Sequence, residues 1–158
     1  MDLNEKTIDR TVIYNGKIVD VEIHTVTLPN GETSTRELVY HNGAVAVCAV
    51  TPKKEVVLVK QYRKPVEKPL LEIPAGKLED DEDRVEAAKR ELEEETGYIA
   101  KELTHVVDMY GSPGFCDEQL SIYFTDNLEE GTVHLDEDEF VEVIKVPIEN
   151  VKSMLMNK

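Results

Sequence analysis

The sequence predicts a mixed α/β fold in which two helices pack against a sheet of several strands. Three observations indicate this class. Runs of β-forming residues separated by turn residues fill the first half, one central segment has helical spacing, and a short amphipathic stretch lies at the end. A chain of 158 residues that is 41% hydrophobic can bury its own core, which excludes a disordered chain. Neither a repeat nor a low-complexity linker divides it.

The first half of the chain contains five predicted strands separated by turns. Asn15-Gly16 is a strong hairpin signal that joins the first two strands. The fourth predicted strand is apolar throughout, which indicates burial on both faces. Three prolines in residues 65–74 forbid a regular helix after the fifth strand. The predicted strands are Thr11–Tyr14, Lys17–Leu28, Thr33–His41, Ala44–Val50 and Glu55–Tyr62.

The second half contains the one strongly predicted helix, from Glu82 to Thr96. Apolar residues recur there at three- and four-residue spacing without Gly or Pro. Asp80 or Asp81 is the expected N-cap, and Gly97 is placed to end the helix in a left-handed conformation. Three further predicted strands and a terminal helix are Leu103–Met109, Gln119–Thr125, Glu142–Pro147 and Ile148–Met156.

The charge of the chain restricts its partners. Thirty-three acidic and 18 basic side chains give a formal net charge of −15, which argues against nucleic acid and anionic membranes as partners. The longest apolar run, Ala44–Val50, is too short to span a bilayer. Because the chain opens without a basic, apolar leader, we expect a cytoplasmic location, with Cys48 and Cys116 as reduced thiols.

A cluster of glutamates on the central helix is the first candidate for chemistry. Glu91, Glu94 and Glu95 share one helix face, where each like-charge pair costs about 0.2–0.5 kcal/mol. One interpretation is a solvated acidic face. The other is a cation site, for which oxygen ligands of this kind suit Mg²⁺ or Mn²⁺ rather than Zn²⁺.

The segment around these glutamates, residues 76–98, reads GKLEDDEDRVEAAKRELEEETGY. It resembles the Nudix box, G-x5-E-x7-R-E-U-x-E-E-x-G-U with U apolar, and only Tyr98 departs from the usual aliphatic residue. The resemblance implies an α/β/α sandwich and metal-dependent cleavage of a diphosphate linked to another moiety. The matching residues are Gly76, Glu82, Arg90, Glu91, Leu92, Glu94, Glu95 and Gly97.

The resemblance also implies roles for residues of the box. The metal ligands are expected to be Glu91 and Glu95, with Glu94 nearby and the carbonyl of Ala75 joining them. Arg90 is expected to orient the glutamates through salt bridges. Metal ions that bridge the phosphoryl oxygens stabilise their charge and can activate a water molecule. We therefore expect Mg²⁺ as the cofactor, with Mn²⁺ as the alternative.

Four features outside the box resemble the ADP-ribose pyrophosphatase, or ADP-sugar diphosphatase, subgroup of the family. Pro113 follows Gly97 by sixteen residues in an S-P-G setting, although an ordinary Pro-Gly turn is the alternative there. The other three features are Q-Y-R with E-I-P-A-G in residues 61–76, R-E-L-V-Y-H-N-G-A-V in residues 36–45, and D-E-F-V-E-V in residues 138–143.

The subgroup resemblance implies a set of substrate-binding residues. Arg36 and Arg63 are expected to contact the diphosphate or the adenosine, with a structural salt bridge as the alternative for each. The residues expected around the adenine are Ile18, Val19, Arg36 and Glu37, those around the terminal ribose are Ser112, Pro113, Gly114 and Glu118, and Lys77 completes the set.

Residues 135–139, Leu-Asp-Glu-Asp-Glu, form an acidic run before a predicted strand. A solvated loop is the alternative interpretation, and the run lacks the glycine and spacing of an EF-hand. In the resembling enzymes a glutamate on this loop closes over the substrate as a base or metal ligand. Glu139 matches that residue best, and Glu137 is the second candidate.

The function implied by the resemblance is hydrolysis of ADP-ribose to AMP and ribose 5-phosphate. Two alternatives stay open: a Nudix hydrolase for another ADP-sugar, NADH, a dinucleoside polyphosphate or a damaged nucleoside triphosphate, and a non-catalytic nucleotide-binding module. The intact glutamates argue against the module. Residues 1–41 are predicted to be an N-terminal β-segment that exchanges between the subunits of a homodimer, and residues 42–158 to be the Nudix domain.

Overall fold

The computed structural model describes residues 2–135 and 139–156. Within them no helix has both the length and the apolar composition needed to cross a bilayer. The strands are β1 (Lys6–Asn15), β2 (Asp20–Thr27), β3 (Thr33–Tyr40), β4 (Ala44–Val50), β5 (Glu55–Arg63), β6 (Lys68–Glu72), β7 (Ala75–Lys77), β8 (Tyr98–Ala100), β9 (Thr104–Tyr110), β10 (Gln119–Thr125), β11 (Leu128–Glu130) and β12 (Val141–Pro147). The helices are α1 (Arg84–Thr96) and α2 (Ile148–Met156), with one 3-10 turn at Lys64–Val66.

The chain divides into two compact units. The first contains the residues up to Gly43 together with Met109–Leu120. The second contains Ala44–Asp108 and the chain from Ser121 onward. The predicted domain of residues 42–158 includes residues 109–120 together with the central helix, and the predicted division after residue 41 stays a prediction.

The first unit is built on an antiparallel sheet with the order β1-β2-β3. The predicted hairpin is present, but β2 begins at Asp20 instead of Lys17. The Asp20 carboxylate accepts hydrogen bonds from Asn15 Nδ2 at 2.8 Å and from the Gly16 N–H at 3.2 Å. These bonds close a four-residue loop where the prediction had a tighter turn. All ten residues of β1 are exposed.

The second unit is organised around β5. This strand pairs antiparallel with β12 along one edge, and with β4 and β6 along the other. Its side chains alternate between the two faces, so Val57 packs with Leu92 of α1, while Val56 and Leu58 pack with Val151 of α2. The two helices therefore cover opposite faces of the sheet, which confirms the predicted α/β/α arrangement.

Helix α1 begins two residues later than predicted. The residue that caps it is Asp83, whose carboxylate accepts hydrogen bonds from the N–H groups two and three residues later, at 2.9 and 3.2 Å. The expectation of Asp80 or Asp81 as N-cap was wrong, and Asp81 instead adopts a left-handed conformation with φ of 59°. The predicted end is confirmed, because Gly97 has φ of 71°.

Four short strands were not predicted. β6 and β7 lie in the proline-containing stretch, where the prolines exclude a helix but allow edge pairing with β5 and β4. β8 and β11 pair with each other after the end of α1. Strands of three to five residues are too short to show an alternating pattern in the sequence.

Candidate active site

Helix α1 is fixed to the sheet at its first turn. Its inner face is buried through Leu92, which is fully inaccessible to solvent. The guanidinium of Arg84 donates hydrogen bonds to the Ala44 carbonyl at 3.3 Å and to Ser121 Oγ at 3.0 Å. Ser121 Oγ in turn donates to Asp108 at 2.5 Å. These bonds tie the start of α1 to β4 and β10, so the helix presents its polar face in a constant orientation.

The other end of α1 is held by residues 131–134. The N–H of Gly131 donates to the Gly97 carbonyl at 2.6 Å, and the N–H of His134 donates to the Glu94 carbonyl at 3.0 Å. These bonds satisfy carbonyls that an isolated helix would leave without partners. Both ends of the glutamate-bearing helix are thus anchored.

Arg90 connects three glutamates of the box. Its Nε and Nη2 donate to the two Glu82 carboxylate oxygens at 2.8 and 2.9 Å, and its Nη1 donates to Glu91 and Glu94, both at 2.9 Å. These hydrogen bonds, chiefly that with Glu82, raise the pKa of Arg90, and they lower the pKa of the Glu82 carboxyl. Glu82 was matched in the box but left out of the predicted site residues.

Gly76 leaves the space that the Glu91 carboxylate occupies. A Cβ added at Gly76 would overlap the carboxylate carbon and both oxygens of Glu91. The Glu91 side chain is only 12% exposed, and burial raises its pKa. The absence of a side chain at Gly76 therefore allows β7 to pack closely against α1.

Glu95 is the most deeply buried acid of the cluster, at 2% exposure. Its Oε2 accepts a hydrogen bond from the Ala75 N–H at 3.0 Å. Burial raises the pKa of Glu95 to about 7; the Ala75 hydrogen bond opposes this shift, while the charges of Glu91 and Glu139 add to it. Ionising Glu91 and Glu95 together therefore costs free energy unless a cation lies between or beside them.

The acidic cluster fits a hard divalent cation by its donor chemistry. Within residues 2–135 and 139–156, no three Asp, Glu, His or Cys side chains already form a group that could hold a metal ion. Arg90 holds Glu91 and Glu94, and the Ala75 N–H holds Glu95. The available donors are nevertheless all oxygens, and their mutual repulsion is what a cation relieves. Glu91, Glu94, Glu95 and the Ala75 carbonyl are the groups that would hold it.

Arg63 is a further cation near this cluster, because its charge acts on Glu95. Its Nε and Nη2 donate to the two oxygens of Glu72, at 2.9 and 2.7 Å. This bond is the main cause of its raised pKa, to which the charges of Glu95 and Glu139 contribute. Glu72 was missed as a site residue, although the E-I-P-A-G motif contains it.

Glu139 is half-buried and close enough to the cluster for its charge to raise the pKa of both Glu91 and Glu95. It also lines an open cleft of about 410 Å³ with Tyr62 and Phe140. The second candidate for the loop base, Glu137, lies outside the described residues. The second unit thus brings Glu139 together with the glutamates of α1.

Lys77 is exposed at the end of β7. Its backbone carbonyl accepts a hydrogen bond of 3.4 Å from Arg90 Nη2. The predicted substrate contact of its side chain stays a prediction.

The remaining predicted residues lie in the first unit. Arg36 forms a two-pronged ion pair with Glu5, at 2.8 and 2.5 Å, which raises the pKa of Arg36. Glu37 and Ile18 are exposed, and Val19 is half-buried. Their contacts with adenine stay predictions.

The loop before β10 is paired with β3. The Val39 N–H donates to the Phe115 carbonyl at 2.7 Å, and the Asp117 N–H donates to the Val39 carbonyl at 3.2 Å. Pro113 lines a largely apolar cleft of about 280 Å³ with Phe115 and Tyr110. The exposed or half-buried residues of this loop that were predicted to border the ribose are Ser112, Pro113, Gly114 and Glu118.

Comparisons with known proteins agree with this geometry. The NUDIX domain model matches residues 40–158. The chain is 49% identical over 158 residues to an ADP-ribose pyrophosphatase of Bacillus subtilis (strain 168), covering 99% of this chain and 85% of the relative. It is 46% identical over 156 residues to a methanol dehydrogenase activator of Bacillus methanolicus, covering 98% and 84%. The crystal structure of an ADP compounds hydrolase shares the fold, with a TM-score of 0.85 and 22% identity over 99% of this chain and 85% of that chain.

Proposed function

The chain belongs to the Nudix hydrolase family, and from this premise we propose that it hydrolyses the diphosphate bond of ADP-ribose to AMP and ribose 5-phosphate. One observation carries the proposal: Gly76 leaves room for the Glu91 carboxylate, and Arg90 binds both Glu91 and Glu94 on one face of α1. The choice of ADP-ribose is supported by the ADP-ribose pyrophosphatase relative, which is 49% identical over the full chain.

Nudix hydrolases generally use divalent cations, and we propose Mg²⁺ for this chain, with Mn²⁺ as the alternative. A bound cation neutralises charge on a diphosphate and lowers the pKa of a water molecule. Glu91, Glu95, Glu94 and the Ala75 carbonyl are the proposed ligands. Arg90 keeps two of these carboxylates oriented, because its Nη1 bonds to both Glu91 and Glu94.

Glu139 is the proposed base. It takes a proton from the attacking water while the water oxygen bonds to phosphorus, and the bridging P–O bond breaks so that its oxygen leaves with the other phosphate. Its charge acts on Glu91 and Glu95, which supports a place beside the cation ligands. Glu139 is also a proposed metal ligand, and Glu137 is the second candidate for the base.

The proposed substrate contacts follow from the resemblance of the sequence to the ADP-ribose pyrophosphatase subgroup. Arg63 is the proposed diphosphate contact in the second unit, since its charge acts on Glu95 of the acidic cluster. The proposed adenine contacts are Ile18, Val19, Arg36 and Glu37, the proposed ribose contacts are Ser112, Pro113, Gly114 and Glu118, and Lys77 is a further proposed contact.

We also propose that the chain forms a homodimer through its N-terminal β-segment. The support is β1, whose ten residues are all exposed although Ile8, Val12 and Tyr14 are apolar. β1 is an edge strand of its sheet, and an exposed edge with apolar side chains can pair with another chain. The proposed location is the cytoplasm, in keeping with the free thiols of Cys48 and Cys116.

A substrate panel tests the proposal. Purified protein is incubated with ADP-ribose, ADP-glucose, GDP-mannose, NADH, a dinucleoside tetraphosphate and an oxidised nucleoside triphosphate, each with Mg²⁺, Mn²⁺ or EDTA. We expect the highest kcat/KM for ADP-ribose with Mg²⁺ and no turnover in EDTA. A higher kcat/KM for another substrate would replace ADP-ribose, and tight nucleotide binding without any product would identify a non-catalytic module.

A further inference from the structure

Glu72 forms the strongest ion pair of Arg63, and no role has been assigned to it so far. Both guanidinium prongs are engaged, at 2.9 and 2.7 Å, across the neighbouring strands β5 and β6. Two parallel bonds of this kind fix the direction of a guanidinium as well as its position. The pair is partly open to solvent, because the side chains of Arg63 and Glu72 are 40% and 27% exposed.

Arg63 has other anions within reach of its charge. Glu95 and Glu139 act on Arg63 electrostatically, although neither forms its hydrogen bonds. Glu95 is also the most deeply buried acid of the cluster, at 2% exposure. A guanidinium released from Glu72 would therefore be drawn towards the acids that the divalent cation needs.

We propose that Glu72 is a positioning residue that keeps the Arg63 guanidinium beside the glutamate cluster and out of the cation site. The proposal rests on the proposed function, because it assumes that the glutamates of α1 bind a divalent cation. With Glu72 in place, the Arg63 guanidinium is oriented so that it can bind a diphosphate oxygen of the substrate. Without Glu72, the guanidinium competes with the cation for Glu95 and Glu139.

The main effect of the Arg63–Glu72 ion pair is to position the guanidinium, and its contribution to stability is small. Ion pairs exposed to this degree contribute little to the free energy of unfolding. Loss of Glu72 should therefore leave the folded state nearly as stable, while the cation and the substrate both bind less well. Weaker binding at unchanged stability distinguishes a positioning role of Glu72 from a structural one.

The test compares Glu72→Gln with Glu67→Gln. Glu67 forms an exposed ion pair of 2.7 Å with Lys64 in the same connection between β5 and β6, so its variant removes an equivalent charge away from the cluster. The first readout is Mn²⁺ binding without substrate, measured from the electron paramagnetic resonance signal of free Mn²⁺. We expect binding to weaken about tenfold in Glu72→Gln and to stay unchanged in Glu67→Gln.

The second readout is steady-state kinetics with ADP-ribose and saturating Mg²⁺. KM should rise about tenfold in Glu72→Gln with a smaller change in kcat, because the diphosphate contact has lost its direction. Glu72→Asp, which keeps the charge, should recover part of both losses. Thermal melts with EDTA should show equal stability for Glu72→Gln and the wild type.

The double variant Arg63→Ala with Glu72→Gln decides between competition and a direct effect. If the released guanidinium is the competitor, removing it restores wild-type Mn²⁺ affinity while KM stays high. Mn²⁺ binding that is equally weak with and without Arg63 would overturn the proposal, as would wild-type values of both readouts in Glu72→Gln. Should the wild type bind Mn²⁺ but not hydrolyse ADP-ribose, the proposed function fails, while the Mn²⁺ comparison still tests Glu72.

Discussion

At the scale of the residue, the site is a set of carboxyl groups whose burial conflicts with their charge. Glu95 is 2% exposed and has a pKa of about 7, and burial also raises the pKa of Glu91. A protein that only needed a stable helix would place apolar residues there. The proposed cation would offset the free energy that burial of these carboxylates costs.

Glu95→Gln should abolish turnover without reducing stability. The amide cannot replace a charged ligand, while its oxygen can still accept the hydrogen bond from the Ala75 N–H. We expect kcat to fall by about 10²-fold or more, since even loss of a residue that only orients a metal ligand costs 10–100-fold, and the melting temperature at pH 8 to stay equal or rise. Glu86→Gln, on an exposed part of the same helix, is the control. Near-normal Mg²⁺-dependent activity in Glu95→Gln would contradict the assignment.

The contribution of Glu95 to the stability of the metal-free protein should decrease as pH rises from about 4.5 to 7. The folded pKa of Glu95 is about 7, above the ordinary value of 4.5, so the folded state retains a proton that the unfolded state has already lost. Its contribution to the free energy of unfolding should therefore decrease by on the order of 3 kcal/mol across this range. Urea unfolding in EDTA measures the difference between Glu95→Gln and the wild type, which should grow with pH. A difference that does not vary with pH would refute this linkage.

Glu139→Gln tests the loop base. Loss of a general base should lower kcat by ~10²-fold or more, with a smaller change in KM. The same substitution at Glu137 should have the smaller effect. If Glu137→Gln is the more damaging variant, the base has been assigned two residues too late. If neither matters, the water is activated without a loop carboxylate.

At the scale of the element, the site depends on how closely β7 approaches α1. β7 has only three residues and pairs with β4, while Gly76 in its centre faces the Glu91 carboxylate. The helix cannot move away to make room, because Arg84 ties its first turn to β4 and β10. The position of Glu91, a proposed cation ligand, therefore depends on β7, on α1 and on the absence of a side chain at Gly76.

Gly76→Ala adds only one methyl group but should strongly impair catalysis. The added methyl group overlaps the Glu91 carboxylate, so either β7 or the Glu91 side chain must shift. We expect kcat to fall by about 10²-fold, as for misplacement of a catalytic group, with a loss of stability of about 1–3 kcal/mol from overpacking. Gly111→Ala is the control, since its Cβ would meet only the Glu118 carboxylate at 4.0 Å. Normal activity of Gly76→Ala would show that the close approach is not required.

At the scale of the whole molecule, the sequence predicted the long elements and the box but not the contacts between strands. Helix α1 and strand β4 could be predicted from the sequence, because many consecutive residues follow one helical or apolar pattern. The pairing of Glu72 with Arg63 depends on the register of β5 with β6, which no local pattern records. The N-cap was misassigned because three aspartates compete and backbone conformation decides among them.

The prediction that belongs to this scale is the oligomeric state. With β1 exposed along its length, we expect a homodimer of about 36 kDa, twice the chain mass of 17.9 kDa. Light scattering at micromolar concentration measures the mass directly. Val12→Lys, which places a charge on the exposed apolar strand, should shift the mass towards one chain. A wild-type protein that is monomeric under these conditions would contradict the dimer.

The pairing of β12 with β5 has a consequence for the chain while it is being made. The strand that completes one edge of β5 is synthesised after all of the box, so a ribosome can have released α1 while that edge is still open. An open edge of apolar strand is a template for pairing with other chains. Fragments that end before β12 should therefore aggregate or be retained by chaperones, even though they contain every glutamate of α1. The glutamates of α1 therefore precede, in the order of synthesis, a strand that completes the sheet beneath them.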